Sequence, residues 1–343
     1  MTVLPTILEA EPAKATLEGL FAKSVSVFQA LFVEERAIPE GDVPVDISAL
    51  LRANLCFQEA PGVVRANFRV SKVFELFIAT DFPSYEGSDR VWYLLEDESL
   101  LFARRIPDCA GKHVLDIGSG SGVLALMAAR NGALSATSID VSPRSTHLGR
   151  FNAALNGIQT ATFLNVGLEK FETGRKFDYI TFNPPFVPIP DDTTYMLSGS
   201  GGRDGLALVH AFFAKLEDLA HSATMIGIIS MSPGDEQISA LERLFVSRYY
   251  GTPTAIVATD VYGSVATVDI AFAPFANEHG FGAWREWLAA MGYSHMHYLF
   301  ITVTPADRYS YRREMLCPPL EDLADSGTWG AMYRVIANSK SHA

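Results

Sequence analysis

From His113 to Val303 the chain alternates short apolar runs with longer stretches of helical period, and this restricts it to one kind of architecture. Strand-length runs separated by helix-length segments specify parallel strands joined by crossover helices, because a tight turn cannot close a parallel pair. The strand candidates are His113–Ile117, Ala136–Ile139, Thr162–Val166, Phe177–Phe182, Thr224–Ser230, a stretch within Thr254–Ala273, and His295–Val303. Helices are predicted near 121–131, 145–156, 204–219, 235–249 and 281–291. Seven strands with helices between them fill a complete α/β domain of the nucleotide-binding type.

At 343 residues the chain exceeds one such domain, and a smaller unit precedes it. Residues from about 13 to 31 read as one amphipathic helix, with Leu17, Leu20, Phe21, Val25, Phe28 and Leu31 on a single stripe. Asp46-Ile47-Ser48 reads as the capped start of a second helix through Leu50, Leu51 and Leu55. After the Pro61-Gly62 turn, Phe68-Arg69-Val70 and Phe74–Ile78 alternate as strands do. Residues 1–90 therefore form a helix-plus-hairpin, winged-helix-like α+β module; 91–112 connect by a helix around Asp97–Ala103; 113–310 are the large domain, and 311–343 an extension. The module is acidic (Glu9, Glu11, Glu34, Glu35, Glu40, Asp42, Asp46) and has no basic recognition face. Substrate capping or dimerisation is its expected role, and a homodimer stays open.

A formal net charge of −12 opposes binding to phosphate backbones, so a small molecule or a protein is favoured over nucleic acid as partner. No apolar run reaches membrane-span length, and Met1–Pro5 lack a basic-then-apolar layout. Cys56, Cys109 and Cys317 are scattered, and the eight histidines are dispersed. They suggest neither a disulfide framework nor a metal centre; a reducing cytoplasm is the expected setting.

Val114-Leu115-Asp116-Ile117-Gly118-Ser119-Gly120-Ser121-Gly122 is a strand running into a glycine loop and then a helix. The glycines let the backbone turn sharply and let a ligand approach the main chain. The second strand ends in Ile139-Asp140, where an acid hydrogen-bonds the two hydroxyls of a ribose. A dinucleotide loop reads G-x-G-x-x-G and faces a pyrophosphate; here the spacing is G-x-G-x-G behind Asp116. That acid suits a cationic amino-acid end, which S-adenosylmethionine (SAM) carries together with a ribose and no phosphate.

The fourth strand ends in Asn183-Pro184-Pro185-Phe186. Two prolines, each with fixed φ and no N–H, stiffen a turn where open α/β sheets bind ligands. The turn carries an amide at its start and a ring at its end, a combination suited to a flat, nitrogen-bearing group.

With these motifs in order, His113 to about Gly234 resembles a class I SAM-dependent methyltransferase. More closely, it is similar to the N-methyltransferases whose fourth strand ends in Asn-Pro-Pro-Tyr/Phe. That group includes release-factor glutamine N5-methyltransferases and enzymes acting on exocyclic amines of nucleobases. Gly201-Gly202-Arg203-Asp204-Gly205 is similar to a Gly-Gly-x-Asp-Gly segment of the glutamine enzymes. The resemblance implies a Rossmann-like seven-stranded sheet in the 113–310 domain. It implies that Asp116, Gly118, Ser119 and Gly120 hold the methionine end of SAM, that Asp140 holds the ribose, and that Val141 lies beside the adenine. Where the group usually has an acid after its third strand, this chain has Asn165-Val166-Gly167-Leu168, and Asn165 or a backbone carbonyl is expected to substitute. Asn183, at the cofactor–substrate junction, and the carbonyl of Pro184 would accept both hydrogens of the acceptor nitrogen. Pro185 would hold that carbonyl still, and Phe186 would cover the substrate.

The methyl acceptor stays open. An amide or amine nitrogen, a glutamine-like carboxamide or a small-molecule nitrogen, fits the loops best. A specialised-metabolism substrate with another nucleophile and a nucleobase amine are the alternatives. Trp284, Trp287, Tyr293 and Tyr298 read as packing residues, and Pro188–Asp192 reads equally as a lid or an ordinary surface loop.

Overall fold

Ser24 divides the N-terminal apolar stripe into two helices, α1 (Ala10–Lys23) and α2 (Val25–Phe32), where periodicity alone predicts one. Its backbone is extended and its hydroxyl accepts the amide of Val27, so it caps a new helix and does not continue the first. The computed structural model describes residues 3–92, 94, 96–189, 199–261, 265–272 and 280–316. The chain divides into two units, Met1–Leu94 with Ile106–Phe171, and Leu95–Arg105 with Glu172–Ala343.

In the first unit, β1 (Ile38–Pro39), the short helix α3 (Ser48–Arg52), β2 (Cys56–Ala60) and β3 (Val63–Ala66) follow α2. The three strands form a small antiparallel sheet. Asp46 Oδ1 accepts both the amide and the hydroxyl of Ser48, starting α3 as the sequence predicts. The β2–β3 hairpin is unpredicted, since only Cys56 of β2 is buried and no alternation results. The predicted hairpin, β4 (Arg69–Val73) and β5 (Leu76–Thr80), is present.

The same unit continues through β6 (His113–Ile117), α4 (Val123–Arg130), β7 (Ser135–Asp140), α5 (Pro143–Leu155) and β8 (Ala161–Asn165). The three strands are parallel, with Ile117 opposite Ile139 and Asp140 opposite Asn165. Helix α5 buries Leu148, Phe151 and Leu155 in one core with Leu17, Leu20, Phe28 and Leu31. Each such side chain contributes about 1.5–3 kcal/mol. Asn152 and Asn156, one turn apart, stand in for a neighbouring strand along β5. Asn152 receives Ala79 N–H (2.8 Å) and donates to Ala79 O (3.0 Å); Asn156 does the same with Phe77 (2.9 and 2.8 Å). Asn152 also donates to Ser121 O (2.9 Å), so one amide joins hairpin, helix and glycine loop. Asp81, just past β5, makes a buried bidentate ion pair with Arg144 at the start of α5. Removing one partner of such a pair costs about 3–5 kcal/mol.

The second unit begins with a π-helical turn, Glu96–Leu100, running into the helical turn Leu101–Arg104. It continues with β9 (Phe177–Phe182), α6 (Ala207–Leu219), β10 (Ala220–Gly234), α7 (Ala240–Tyr249), β11 (Thr254–Val261), β12 (Ala266–Thr267), α8 (Phe281–Ala290), β13 (His295–Pro305) and β14 (Ser310–Leu316). The strand order is β9-β10-β13-β11-β14. β9 and β10 are parallel, whereas β13 lies antiparallel to both β10 and β11. Every predicted strand is present, and the architecture is Rossmann-like α/β. β12 and β14 are additions. β14 is an edge strand with little burial and three charged residues, which hides it from a hydrophobic reading. Arg313 anchors it, donating to Asp260 (3.2 Å), Glu242 (3.3 Å) and His297 Nδ1 (2.8 Å). His297 is buried and donates from Nε2 to Asp235 O (2.7 Å); burial pushes its pKa down to about 4. Residues 190–192 of the predicted lid or loop and residues 317–343 of the predicted extension lie outside the described residues. No helix among the described residues is long and apolar enough to cross a membrane.

Candidate active site

The three loop glycines of the first unit all have left-handed backbones, with φ of 76°, 54° and 82° at Gly118, Gly120 and Gly122. The amides of Gly118 and Ser119 both donate to Ile139 O (2.9 and 3.1 Å), which ties the loop to the end of β7. The glycines then differ. A Cβ on Gly122 would lie 2.5 Å from the Phe163 ring, so this glycine serves helix–strand packing. A Cβ on Gly120 would meet nothing within 4 Å. Gly120 is thus the position where a ligand can approach the main chain.

Asp116 is buried and accepts a hydrogen bond from Ser138 Oγ (2.9 Å). Asp140 accepts Gly120 N–H on one oxygen (2.9 Å) and Ser142 N–H on the other (2.8 Å). Burial raises its pKa above the usual aspartate value, against those two backbone hydrogen bonds. The Ser145 side chain also interacts with this carboxylate, and its remaining lone-pair capacity is what a ribose hydroxyl would meet. Val141 is exposed, and a Cβ on Gly167 would come within 2.9 Å of its Cγ1, so the missing side chain lets Val141 lie there as an apolar surface. Asn165 donates from Nδ2 to Asp140 O (3.0 Å), leaving Oδ1 as the acceptor where the resemblance expects an acid. Ser119 Oγ is buried without a hydrogen-bond partner among the described residues. An open glycine face, an orphaned hydroxyl and a two-oxygen acid fit the methionine and ribose ends of SAM.

In the second unit, Asn183 follows β9 and donates from Nδ2 to Glu98 Oε1 (2.8 Å). A carboxylate only accepts, so the amide nitrogen must face Glu98 and Oδ1 must point away. That Oδ1 is buried and accepts nothing from the described residues. Leaving an acceptor so costs about 1–3 kcal/mol, a cost a binding site recovers from its ligand. Pro184 is buried and Pro185 half-buried. The Phe186 ring is buried against Tyr298, with centroids 5.8 Å apart.

Gly201–Gly205 brace this turn from behind. Val187 N–H donates to Gly199 O, Gly201 N–H to Val187 O, and Ile189 N–H to Gly202 O, each at 2.9 Å. A Cβ on Gly205 would lie 2.4 Å from Phe186 O, and one on Gly201 would lie 2.8 Å from Phe186 C. Only glycine permits this approach. Asp204 Oδ1 accepts Leu206 N–H (2.9 Å), turning the chain into α6. Trp284 Nε1 donates to Arg203 O (2.7 Å), and the Arg203 guanidinium lies 4.4 Å from the Trp287 ring centroid. Both tryptophans therefore support the loop. Glu98 falls in the predicted connecting helix and is not among the site residues the motifs indicate. It acts across 85 residues, and no local pattern marks it.

The methyltransferase small-domain family model matches residues 93–197. A Methanocaldococcus jannaschii protein named provisionally as an N5-glutamine methyltransferase is 30% identical over 154 residues, 43% of this chain and 77% of that one. The chain belongs to the class I, small-domain methyltransferases. This methyltransferase is also 27% identical to the release factor glutamine methyltransferase of Bacillus anthracis over 145 residues, 39% of its own length and 51% of the relative's. Among solved structures, Methanocaldococcus jannaschii TYW2 in complex with AdoMet aligns with a TM-score of 0.43 at 11% identity, over 71% of this chain and 90% of that one. Family and relatives make the protein a SAM-dependent enzyme of the N-methylating kind.

Proposed function

We propose that this methyltransferase methylates the nitrogen of a primary carboxamide, with a glutamine side chain of a protein as the foremost acceptor. The observation that carries this reading is Asn183 Oδ1, a buried acceptor turned away from Glu98 and lacking a donor among the described residues. The names of the relatives agree with it, and the charge of −12 disfavours nucleic acid.

Held by the Asp116, Gly118–Gly120 and Asp140 set, SAM would supply a methyl group whose carbon–sulfur bond breaks, electrons passing to sulfur, as the acceptor nitrogen bonds to carbon. Asn183 Oδ1 and the carbonyl of Pro184 would each accept a hydrogen bond from the acceptor NH2. This holds the nitrogen in line, and placement is most of what such a displacement needs. It also favours a pyramidal nitrogen, whose lone pair is withdrawn from the carboxamide π system. Those hydrogen bonds strengthen as positive charge grows on nitrogen, so they act chiefly on the transition state. The nitrogen then sheds one of the two hydrogens to solvent. Pro184 and Pro185 keep the carbonyl fixed without reorganisation.

The test is incubation with methyl-labelled SAM and cell extract, followed by separate protease, nuclease and small-molecule fractionation. Label should enter protein and leave as methylamine on acid hydrolysis, as an N-methyl carboxamide requires. Label in RNA or in free metabolites would overturn the reading. Asn183→Ala should reduce transfer by about 10²–10³, with SAM binding by calorimetry retained.

A further inference from the structure

The Glu98–Asn183 contact carries an inference that rests on the reading of Asn183 as the acceptor clamp. We propose that Glu98 is a positioning residue that fixes which edge of the Asn183 amide meets the substrate, and so makes a nitrogen bearing hydrogens the required acceptor. An asparagine amide turned half a revolution exchanges its NH2 and its oxygen at nearly equal volume. With oxygen outward the site admits donors; with NH2 outward it admits a carbonyl or carboxylate and repels the NH2 of a carboxamide. Glu98 Oε1, at 2.8 Å from Nδ2, allows only the first state. In the other, two acceptor oxygens would stand at that distance.

The charge matters as well as the geometry. A hydrogen bond to a carboxylate is roughly twice as strong as a neutral one. It also polarises the amide and raises electron density at Oδ1. That is the atom facing the nitrogen on which positive charge develops. Glu98 lies within the π-helical turn Glu96–Leu100, a distortion frequent at functional sites. The turn is anchored by the buried Leu101 and Phe102 beyond it, with the Phe102 ring 4.9 Å from Phe300.

Full-length wild type, Glu98→Ala and Glu98→Gln are compared with labelled SAM and a mixture of glutamine-containing peptides as acceptor probe. Glu98→Ala should lower kcat about a hundredfold, as a misplaced reacting group does, with the SAM dissociation constant unchanged by calorimetry. Glu98→Gln keeps an oxygen for Nδ2 but can also turn its own NH2 towards Oδ1, so it should fall between wild type and Glu98→Ala, about tenfold below wild type. The acceptor-independent readout is the Asn183 side-chain NH2 pair in ¹⁵N-edited NMR, assigned through Asn183→Asp. Glu98→Ala should move that pair, and Glu98→Gln should move it less. Unmoved signals, or a wild-type kcat in Glu98→Ala, would overturn the positioning role. If wild type leaves the peptides unlabelled, the carboxamide reading fails by itself, and the NMR comparison still decides Glu98.

Discussion

Gly205→Ala offers a sharp test of whether the Gly201–Gly205 segment sets the Asn183–Phe186 turn proposed to hold the methyl acceptor. Gly205 has φ +78°, so any side chain there adopts a left-handed backbone at a cost of about 1–2 kcal/mol. Its added Cβ would also stand 2.4 Å from the Phe186 carbonyl oxygen, where ordinary contact begins near 3.4 Å. The carbonyl must therefore retreat by about 1 Å, and a displacement of that size costs about 10² in rate when it reaches the reacting groups. It should reach them, because the two prolines before Phe186 leave the turn little freedom to absorb it. Gly202→Ala is the matched control. Gly202 has the same φ of +78°, but its Cβ would meet only the Ala207 methyl, at 3.0 Å. Urea unfolding should show a loss of about 1–2 kcal/mol from the left-handed backbone in both variants, and about 1–3 kcal/mol more in Gly205→Ala from the clash with the Phe186 carbonyl. Initial rates with labelled SAM should separate them, Gly205→Ala falling about a hundredfold and Gly202→Ala only a fewfold. SAM affinity should be unchanged in both. Equal kcat losses in the two variants, or none in Gly205→Ala, would refute the reasoning.

Gly120→Ala should cost about 1–2 kcal/mol of stability, since its Cβ enters open space, yet weaken SAM binding by at least tenfold in calorimetry. Unaltered affinity would remove Gly120 from the cofactor contact. His297 predicts an acid sensitivity. Its folded pKa of about 4 lies below the ordinary 6.5, so its stabilisation is complete above pH 6.5 and lost progressively towards pH 4, by at most about 3 kcal/mol. Arg313, Glu242, Asp260 and the Asp235 carbonyl pack around it. His297→Gln should flatten the fall in urea midpoint between pH 7 and pH 5, and an unchanged slope would assign that fall to other groups.

The sequence by itself determined the elements whose cause is local. Period and apolar content placed β6 to β11 and β13, because each strand's burial repeats along its own residues. Left-handed turns at Gly118, Gly120 and Gly122 were legible, because only glycine takes that backbone freely. So was the stiffness of Asn183–Phe186, which two prolines dictate. The tertiary structure decided what depends on distant partners. β13 runs antiparallel because of its pairing with β10 and β11, and a strand's burial pattern reads the same in either direction. β14 is held by Arg313 more than by apolar burial, so hydrophobic patterning passes over it. Ser24 ends a helix through a hydrogen bond that its apolar neighbours conceal. The orientation of the Asn183 amide rests on Glu98, 85 residues earlier. Sequence supplied the amide, but its two edges are nearly equal in volume, and only a carboxylate brought against one of them makes them chemically distinct.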